Sequence, residues 1–413
     1  MGQVFRDGSE LTIWTVEKLV PGGAGMCRLS DGTIGFVEGA FPGETLKPLV
    51  TLRKKGYVRA TRFELVSPSA ERVEAVCPVV DACGGCDWMR LARAAELNNK
   101  AGIVAEALER TGGVRLAAVP EVVTAGDELG YRSRVRLHVD AHGRVGFFAR
   151  GTHRLVEVPG CPVSEPEVER GMAIVRALAE DAPRAMARFE AVEVRALDEG
   201  GLEFLVHPRE GVDVRAPDTD EVIVRLREHG SASVARGNAE FTQVNRAVND
   251  VLVARIVEGA LARGAQSFVD LYAGSGNFSV PLAKAGLSGV AVESDSVAAA
   301  RGRDRAAREV QGRLSVLTRD VPRALAEFSR AKRAFDLAVL DPPRIGAKDA
   351  MSGLSELAPH AIAYVACDPV TLARDVRTLG EQAWSVVNVT CFDMFPKTHH
   401  VETLVWLERH SET

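Results

Sequence analysis

The stretch that decides the fold is SFVDLYAGSGNFS at residues 267–279. Its first part, Ser267–Leu271, has the apolar character of a buried strand. The Gly274-x-Gly276 pair that follows lets the chain turn tightly before a helix and brings the backbone close to a bound ligand. The stretch therefore predicts the first strand–turn–helix unit of a nucleotide-type binding domain.

Outward from this unit, the last third of the chain alternates apolar strands with helical stretches. We place the strands at Ser267–Leu271, Gly289–Val292, Leu314–Leu317, Phe335–Leu340, Ile362–Ala366, Trp384–Thr390 and Val401–Leu407. This alternation is typical of a parallel, doubly wound α/β sheet. Such sheets bind ligands at the carboxyl ends of their strands.

Five side chains that can bind or react lie at or just beyond those strand ends: Asp270, Glu293, Asp320, Asp341 and Cys367. An acid at the end of the second strand can accept both ribose hydroxyls of a nucleoside. The turn lacks the third glycine of a dinucleotide fingerprint and the lysine of a phosphate-binding loop. We therefore expect S-adenosylmethionine rather than NAD or ATP. One or two of these acids, Asp320 first, are open to a plain helix-capping role.

The stretch ACDP at residues 366–369 follows a buried strand and opens a helix. A helix N-terminus lowers a thiol pKa, so we expect Cys367 to have an increased thiolate fraction. A thiolate that adds to carbon 6 of uracil makes carbon 5 nucleophilic enough to take a methyl group. A base must then remove the carbon 5 proton. Glu402 is the expected base, with His399 and His400 as alternatives.

The stretch DPPR at residues 341–344 leaves a second reaction open. It resembles the Asp/Asn-Pro-Pro-aromatic motif of amino-group methyltransferases, although Arg344 replaces the aromatic residue. An amino-group methyltransferase would have no use for Cys367. A non-catalytic RNA-binding or folding module that keeps a vestigial site is a further alternative.

The chain contains seven cysteines, four of which form a spaced set: Cys77, Cys83, Cys86 and the remote Cys161. In a reducing cytosol such a set favours a metal site over disulfides. Zinc and an iron–sulfur cluster fit the spacing equally well. The spacing differs from the Cys-x3-Cys-x2-Cys of radical enzymes, so we do not expect the set to cleave a cofactor.

Length and charge bound the remaining possibilities. A chain of 413 residues suggests two or three domains. It has neither a secretory signal nor an apolar run long enough to span a membrane, so we expect a cytoplasmic protein without membrane contact. The net charge of -5 does not indicate a nucleic-acid binder, but residues 47–62 and 132–154 are locally basic. Together with the motifs, these two stretches favour RNA as the partner.

The motifs together resemble those of the bacterial 5-methyluridine RNA methyltransferases, specifically the 23S ribosomal RNA branch that carries a four-cysteine iron–sulfur cluster. The resemblance covers nearly the whole chain. It rests on the cysteine set and on GGAG at 22–25, FVEGAFPGE at 36–44, FTQVN at 241–245, the glycine turn, DPPR and ACDP. It implies an N-terminal OB-like β-barrel (TRAM) at residues 1–66 and a central α+β iron–sulfur domain at 67–235. Residues 236–413 would then form a Rossmann-like S-adenosylmethionine methyltransferase domain.

The resemblance also implies residue roles. Cys367 matches the nucleophile and Glu402 the base, whereas Tyr272 stands where the family usually has Phe. The [4Fe–4S] ligands would be Cys77, Cys83, Cys86 and Cys161. The cofactor-binding residues would be Gln243, Tyr272, Asn277, Glu293, Asp320 and Asp341. We expect a monomer that acts on 23S rRNA, with tRNA as the alternative substrate, because some cluster-bearing relatives modify tRNA.

Overall fold

The computed structural model describes residues 4–5, 13–235, 243–357 and 360–409. Its strands are β1 (Val4–Phe5), β2 (Trp14–Leu19), β3 (Gly25–Arg28), β4 (Ile34–Val37), β5 (Thr45–Lys54), β6 (Tyr57–Ser67), β7 (Glu121–Val123), β8 (Arg134–Val139), β9 (Val145–Phe148), β10 (Leu155–Val156), β11 (Phe189–Ala196), β12 (Leu202–Pro208), β13 (Ser231–Val234), β14 (Ser267–Leu271), β15 (Ser288–Glu293), β16 (Leu314–Thr318), β17 (Leu337–Leu340), β18 (Ala361–Ala366), β19 (Trp384–Phe392) and β20 (Glu402–Arg409). Its helices are α1 (Arg93–Arg110), α2 (Pro166–Asp181), α3 (Pro183–Met186), α4 (Pro217–Arg227), α5 (Arg246–Ala262), α6 (Ser279–Lys284), α7 (Ser296–Glu309), α8 (Val321–Arg330), α9 (Met351–Leu357) and α10 (Pro369–Gly380), with a 3-10 turn at Lys348–Ala350.

The first sheet is a small barrel. Strand β5 pairs with both β2 and β6, and β6 pairs with β4, so five strands close on themselves while β1 adds to β5. Buried and exposed residues alternate along β2, which places Trp14 and Val16 in the barrel core. Residues 1–3 and 6–12 of the predicted first domain lie outside the described residues.

The second sheet runs in the order β10-β9-β8-β11-β12-β13. Its long strands pair antiparallel, and β13 joins β12 in parallel. Helix α2 packs its apolar face, which includes Val168, Met172 and Val175, against this sheet. The result is a mixed α/β unit between the barrel and the C-terminal sheet.

The third sheet has eight strands in the order β16-β15-β14-β17-β18-β20-β19-β7. The pairings from β14 to β18 are all parallel, which confirms the predicted α/β architecture for these five strands. The expectation of a wholly parallel sheet is wrong for β20. This strand inserts between β18 and β19 and pairs antiparallel with both. Its reversal brings the start of β20 to the carboxyl end of β18.

Two elements from the middle of the chain join the third sheet. Strand β7 pairs in parallel with β19. Val104 and Leu108 of α1 belong to the same buried cluster as Leu372 and Val376 of α10. The boundaries at 66/67 and 235/236 stay predictions, and residues 236–242 lie outside the described part of the chain.

No helix in the described ranges has the length and apolar character that crossing a bilayer requires.

Candidate active site

The glycine turn after β14 holds the Glu293 carboxylate beneath it. Gly274 and Gly276 have φ values of 56° and 93°, a region that glycine adopts without strain. The Gly274 N–H donates to Oε2 of Glu293 at 2.8 Å, and the Asp295 N–H donates to its Oε1 at 2.7 Å. Tyr272 shares the left-handed conformation, with φ 64°, although it has a side chain. The turn is therefore a locally strained structure built around Glu293.

Asp270 is fully buried under the same turn, and burial raises its pKa to about 7. Its Oδ2 accepts a hydrogen bond from Oγ of Ser279 at 2.7 Å. In the sequence, Ser279 only marks the absence of a third glycine. The structure gives it a positive role, since it ties the first residue of α6 to the end of β14.

The other predicted cofactor residues surround this turn. The side-chain amides of Asn277 and Asn249 exchange two hydrogen bonds, at 3.0 and 3.1 Å. Asp320 accepts from the Arg323 N–H at 3.4 Å, so the expected helix-capping role is present. Burial raises the pKa of Tyr272 to about 12, and the charge of Asp320 adds to this effect, which places Asp320 near the Tyr272 hydroxyl.

Gln243 begins the segment that enters α5. Its Oε1 is buried and has no hydrogen-bond partner among the residues that the structure describes. Two residues later, Asn245 caps α5 by accepting from the Val248 N–H at 3.3 Å. The first two residues of the FTQVN motif, Phe241 and Thr242, lie outside the described residues. A buried, unpartnered amide oxygen is costly unless a donor satisfies it, so Gln243 is available to a ligand.

Cys367 and Glu402 face each other across neighbouring strands. At the end of the antiparallel ladder of β18 and β20, Ala366 pairs with Thr403. The next pair of that register is Cys367 and Glu402, and directly opposite residues in such a ladder have Cα atoms about 4.5–5.5 Å apart. The charge of Glu402 also raises the pKa of Cys367, so the two side chains lie within electrostatic reach of each other. Cys367 and Glu402 are thirty-five positions apart in the sequence, and the reversed direction of β20 brings them together.

The pKa of Cys367 is raised, so the expected lowering is wrong for the protein without ligands. Burial raises the pKa of this thiol to about 12; the charges of Glu402 and Asp341 add to the rise and Arg344 opposes it. The helix N-terminus does not lower this pKa, because Cys367 lies one residue before the N-cap of α10. The cap, Asp368, accepts the N–H groups of Val370 and Thr371 at 3.0 and 2.9 Å, so these donors do not act on the sulfur.

Glu402 and Asp341 form an acidic pair beside the thiol. Burial raises the pKa of both carboxyls, and the charge of Asp341 raises that of Glu402 further while Arg344 lowers it. Oε1 of Glu402 is buried, and no described residue is its hydrogen-bond partner. The edge of the sheet around Cys367 thus has more acidic than basic groups. Arg344 is the cation that acts on both Cys367 and Glu402. Such an edge favours a positively charged ligand.

The two histidines considered as alternative bases have other surroundings. Nδ1 of His399 lies 2.6 Å from Oδ2 of Asp87. Burial lowers the pKa of His400 to about 3, with the charges of His399 and Arg344 adding to the effect. A group with so low a pKa is a weak base at neutral pH. Nε2 of His400 lies 3.3 Å from Nη2 of Arg344, so this ring orients the arginine.

A buried ionic network anchors the loop that leads into β20. Lys100 of α1 is fully buried, and its Nζ contacts Glu96 at 2.8 Å, the Phe395 carbonyl at 3.1 Å, and Asp393. The Lys397 N–H donates to Glu96 at 2.7 Å. Sequence reasoning missed this network because nearly three hundred residues separate its two halves. The network positions residues 393–400, which carry both histidines and lead directly to Glu402.

The four spaced cysteines line one cavity of about 640 Å³ beside the second sheet: Cys77, Cys83, Cys86 and Cys161. Burial raises the thiol pKa of Cys77, Cys83 and Cys86, and the charge of Cys161 raises all three further. The four thiols therefore lie within electrostatic reach of one another. In the described ranges, no three Cys, His, Asp or Glu side chains are grouped closely enough to hold a metal ion. The iron–sulfur cluster stays a prediction.

Comparison with known proteins decides the family. The chain is 32% identical to the 23S rRNA (uracil(1939)-C(5))-methyltransferase RlmD of Aeromonas hydrophila, over 91% of this chain and 91% of the relative. It is 31% identical to the enzyme of the same name from Photorhabdus laumondii, over 96% of each chain. The chain belongs to the RNA uracil-C5 methyltransferases. The model of the tRNA (uracil-5-)-methyltransferase family matches residues 218–410 of this RNA uracil-C5 methyltransferase.

A solved structure supports the fold of this RNA uracil-C5 methyltransferase. The tRNA (uracil-54, C5)-methyltransferase of Pyrococcus abyssi, solved with S-adenosyl-L-homocysteine, superposes with a TM-score of 0.74. The alignment covers 97% of this chain and all of the other, at 21% identity. The arrangement of barrel, middle sheet and C-terminal sheet is therefore shared over nearly the whole chain.

Proposed function

We propose that this protein transfers the methyl group of S-adenosylmethionine to carbon 5 of a uridine in RNA, with 23S rRNA as the substrate. The observation that carries the proposal is the placement of Cys367 and Glu402 opposite each other at the carboxyl edge of the parallel sheet. The identity over almost the full length of 23S rRNA enzymes favours rRNA over tRNA. The family model named for tRNA enzymes keeps tRNA as the second candidate.

The residues around the glycine turn would hold the cofactor. Glu293, already oriented by two backbone N–H groups, would accept the ribose hydroxyls. Gln243 offers a buried oxygen that has no partner in the described part of the chain, and Asp341 offers a buried carboxylate. We also assign Tyr272, Asn277 and Asp320 to this site. S-adenosylmethionine supplies a methyl group on a positively charged sulfur, and the acidic excess of the site matches that charge.

The Cys367 thiol first releases its proton to water, and the positive charge of Arg344 favours the thiolate. The thiolate bonds to carbon 6 of uracil, and the electrons of the 5,6 double bond move to the oxygen on carbon 4. This gives carbon 5 the electron pair with which it takes the methyl group, while the bond between that group and the cofactor sulfur breaks and leaves its electrons on sulfur. The Glu402 carboxylate then accepts the proton of carbon 5. The double bond forms again, and the sulfur leaves carbon 6.

Burial suits Glu402 to this last step. Its raised pKa makes the ionised carboxylate a stronger base than an exposed glutamate. Its Oε1, which has no partner in the described ranges, can take a proton from the substrate. His400, with a pKa lowered to about 3, is a poorer base, and His399 is held by Asp87.

RNA would bind the barrel and the second sheet, where the two basic stretches lie. On the barrel, Arg53, Lys54, Lys55 and Arg59 are exposed, and on the second sheet Arg136, Arg144, Arg150 and Arg154 are exposed. We assign the barrel to the TRAM type on the resemblance of its sequence motifs. RNA affinity should fall steeply with salt, because each cation that contacts a phosphate releases a condensed counterion.

We also propose that Cys77, Cys83, Cys86 and Cys161 hold a structural [4Fe–4S] cluster. Four thiols that share one cavity and interact electrostatically are the donor set such a cluster takes, but in the described ranges they would have to move closer together to hold it. Protein purified without oxygen should be brown and contain about four iron and four sulfide per chain. Stoichiometric zinc without iron would contradict the proposal.

Two active-site variants test the reaction. Cys367→Ala should bind RNA and cofactor but form no covalent adduct and transfer no methyl group, because carbon 5 is never activated. In the Glu402→Gln variant, Cys367 should still add to the uracil, but the carbon 5 proton cannot readily be removed. A covalent protein–RNA adduct should therefore accumulate and be visible on denaturing gels. RNA with 5-fluorouridine should trap the wild type in the same way, since fluorine does not leave as a cation.

The outcomes separate the assignments. Methylation retained by Cys367→Ala would overturn the mechanism and the proposed function. Normal turnover by Glu402→Gln without an adduct would overturn only the choice of base, and His399 and His400 would then be tested. An amino-group methyltransferase or a vestigial binding module would form no adduct with any of these substrates.

A further inference from the structure

The loop that follows Asp341 displays an apolar side chain at the edge of the reaction site. Ile345 is 76% exposed, which makes it the most exposed large apolar residue in the described part of the chain. It comes directly after Arg344, whose charge acts on Cys367 and Glu402. Isolated apolar residues are common on protein surfaces, but this one is held in place by a built support.

Helix α10 holds this loop by hydrogen bonds to two successive backbone carbonyls. Oγ1 of Thr371 donates to the Arg344 carbonyl at 3.0 Å. Nη2 of Arg374 donates to the Ile345 carbonyl at 2.9 Å. Because α10 begins two residues after Cys367, one helix positions both the nucleophile and Ile345. Consecutive Cα atoms lie about 3.8 Å apart, so Ile345 is one such step from the arginine that reaches the reaction site.

A buried carboxylate fixes the far end of the loop. Asp375 is fully buried and accepts the Ala347 N–H at 2.8 Å and the hydroxyl of Tyr364 at 2.7 Å. Gly346 has a φ of 77°, and a Cβ there would lie 2.5 Å from Oδ2 of Asp375. Glycine is the residue that both this conformation and this close contact allow. The loop is thus pinned on both sides of Ile345, and its apolar side chain is held exposed at a fixed place.

The depth of the reaction site requires the target base to leave its stack. Glu402 is only 2% exposed, and Cys367 is half-buried. A uracil whose carbon 6 meets the sulfur and whose carbon 5 meets the carboxylate must therefore enter the protein. Enzymes that act on a base extrude it from the strand in this way, at the cost of its stacking. The base next to the extruded uridine is left with one uncovered face.

We propose that Ile345 packs against this uncovered face and fills the gap that the target uridine leaves in the base stack. The inference rests on the proposed function, since it assigns a further residue to the same substrate. Nucleic-acid-binding proteins use apolar side chains, isoleucine among them, as wedges between base steps. Val370, which precedes Thr371 in the first turn of α10 and is 43% exposed, adds apolar surface beside the loop. The wedge holds the uridine in the site by occupying the place to which its base would return.

The test measures the rate of adduct formation by the full chain on two RNAs that carry 5-fluorouridine. One is the stem-loop of 23S rRNA on which the wild type forms most adduct, and the other is a short unstructured strand with the same uridine. Ile345→Ser removes the apolar wedge, and Ile345→Leu keeps it. Leu261→Ser is the matched control, because Leu261 is 51% exposed and lies near the end of α5, before β14 begins at the opposite edge of the sheet.

On the stem-loop below saturation, Ile345→Ser should form the adduct about tenfold more slowly than the wild type, because burial of this side chain no longer stabilises the opened stack. On the unstructured strand there is no stack to open, so the rate of Ile345→Ser should match that of the wild type. Ile345→Leu and Leu261→Ser should behave as the wild type on both RNAs. The affinity for S-adenosylmethionine should be unchanged in every variant.

The outcomes separate the wedge from the reaction. An equal loss on both RNAs would overturn the wedge, since Ile345 would then be a general contact of the reaction site. A stem-loop rate of Ile345→Ser within about twofold of the wild type would overturn it as well. In both cases the adduct formed by the wild type would keep the proposed function. Wild type that forms no adduct with either RNA would overturn the proposed function, and the wedge with it.

Discussion

Replacing Lys100 by Met should destabilise the C-terminal sheet unit by about 3 kcal/mol. Removing one partner of a buried ion pair costs about 3–5 kcal/mol, because the other charge stays buried and unpaired. Lys100 has three contacts, with Glu96, Asp393 and the Phe395 carbonyl. Arg93 still contacts Asp393, and the Lys397 N–H still donates to Glu96, so we expect the lower end of the range.

Urea unfolding followed by tryptophan fluorescence measures this cost, since Trp384 and Trp406 are buried in the same sheet. The control is Lys55→Met, at an exposed turn, which should change the free energy of unfolding by less than about 0.5 kcal/mol. Adding Asp393→Asn to Lys100→Met should recover part of the loss, because it removes one stranded charge. A loss below about 1 kcal/mol in Lys100→Met would refute the reasoning.

Three further outcomes follow from the geometry. In protein without ligands, alkylation of Cys367 should be slow at pH 7, and its rate should rise about tenfold per pH unit up to pH 9, because the pKa of this thiol is raised to about 12. The rate is measured by mass spectrometry of the peptide that contains Cys367. A rate that does not change with pH would contradict this expectation. Gly259→Ala would place a Cβ 2.3 Å from the Trp406 ring and should lower the free energy of unfolding by about 1–3 kcal/mol. The control Gly102→Ala, whose Cβ would meet nothing within 4 Å, should be neutral or stabilising. Equal effects of the two substitutions would argue against the close packing of Gly259 on Trp406. Glu293→Gln should weaken S-adenosylmethionine binding by about tenfold, since hydrogen bonds to a charged group contribute about 1.5–3 kcal/mol. Calorimetry measures this affinity. An unchanged affinity would show that Glu293 does not bind the cofactor.

The sequence predicted the parts of the fold that depend on local pattern. The apolar strands and the Gly274-x-Gly276 turn are local signals, and they located the carboxyl edge of the sheet with its acids and Cys367. Strand direction is not local. The segment that forms β20 reads as an apolar strand whichever way it runs, and only its pairing with β18 and β19 shows the reversal.

The protonation of the site residues could also not be predicted from the sequence. The residue pattern suggested that a helix N-terminus lowers the thiol pKa of Cys367. It did not show that Asp368 occupies the free N–H groups or that Glu402 and Asp341 lie beside the sulfur. Pairs such as Lys100 and Asp393 are likewise brought together only by the folded chain. Motifs identified which residues could react, but packing sets their protonation.

The position of β20 bears on when the protein becomes active during its synthesis. Strands β18 and β19 leave the ribosome first, yet each pairs with β20 rather than with the other. Until Glu402–Arg409 has emerged, a nascent chain can carry a complete glycine turn and Cys367, but it has an open gap in its sheet and no Glu402. The Cys367–Glu402 pair is thus assembled only after β20 has been translated. A chain that lacks β20 therefore lacks one half of the facing Cys367–Glu402 pair.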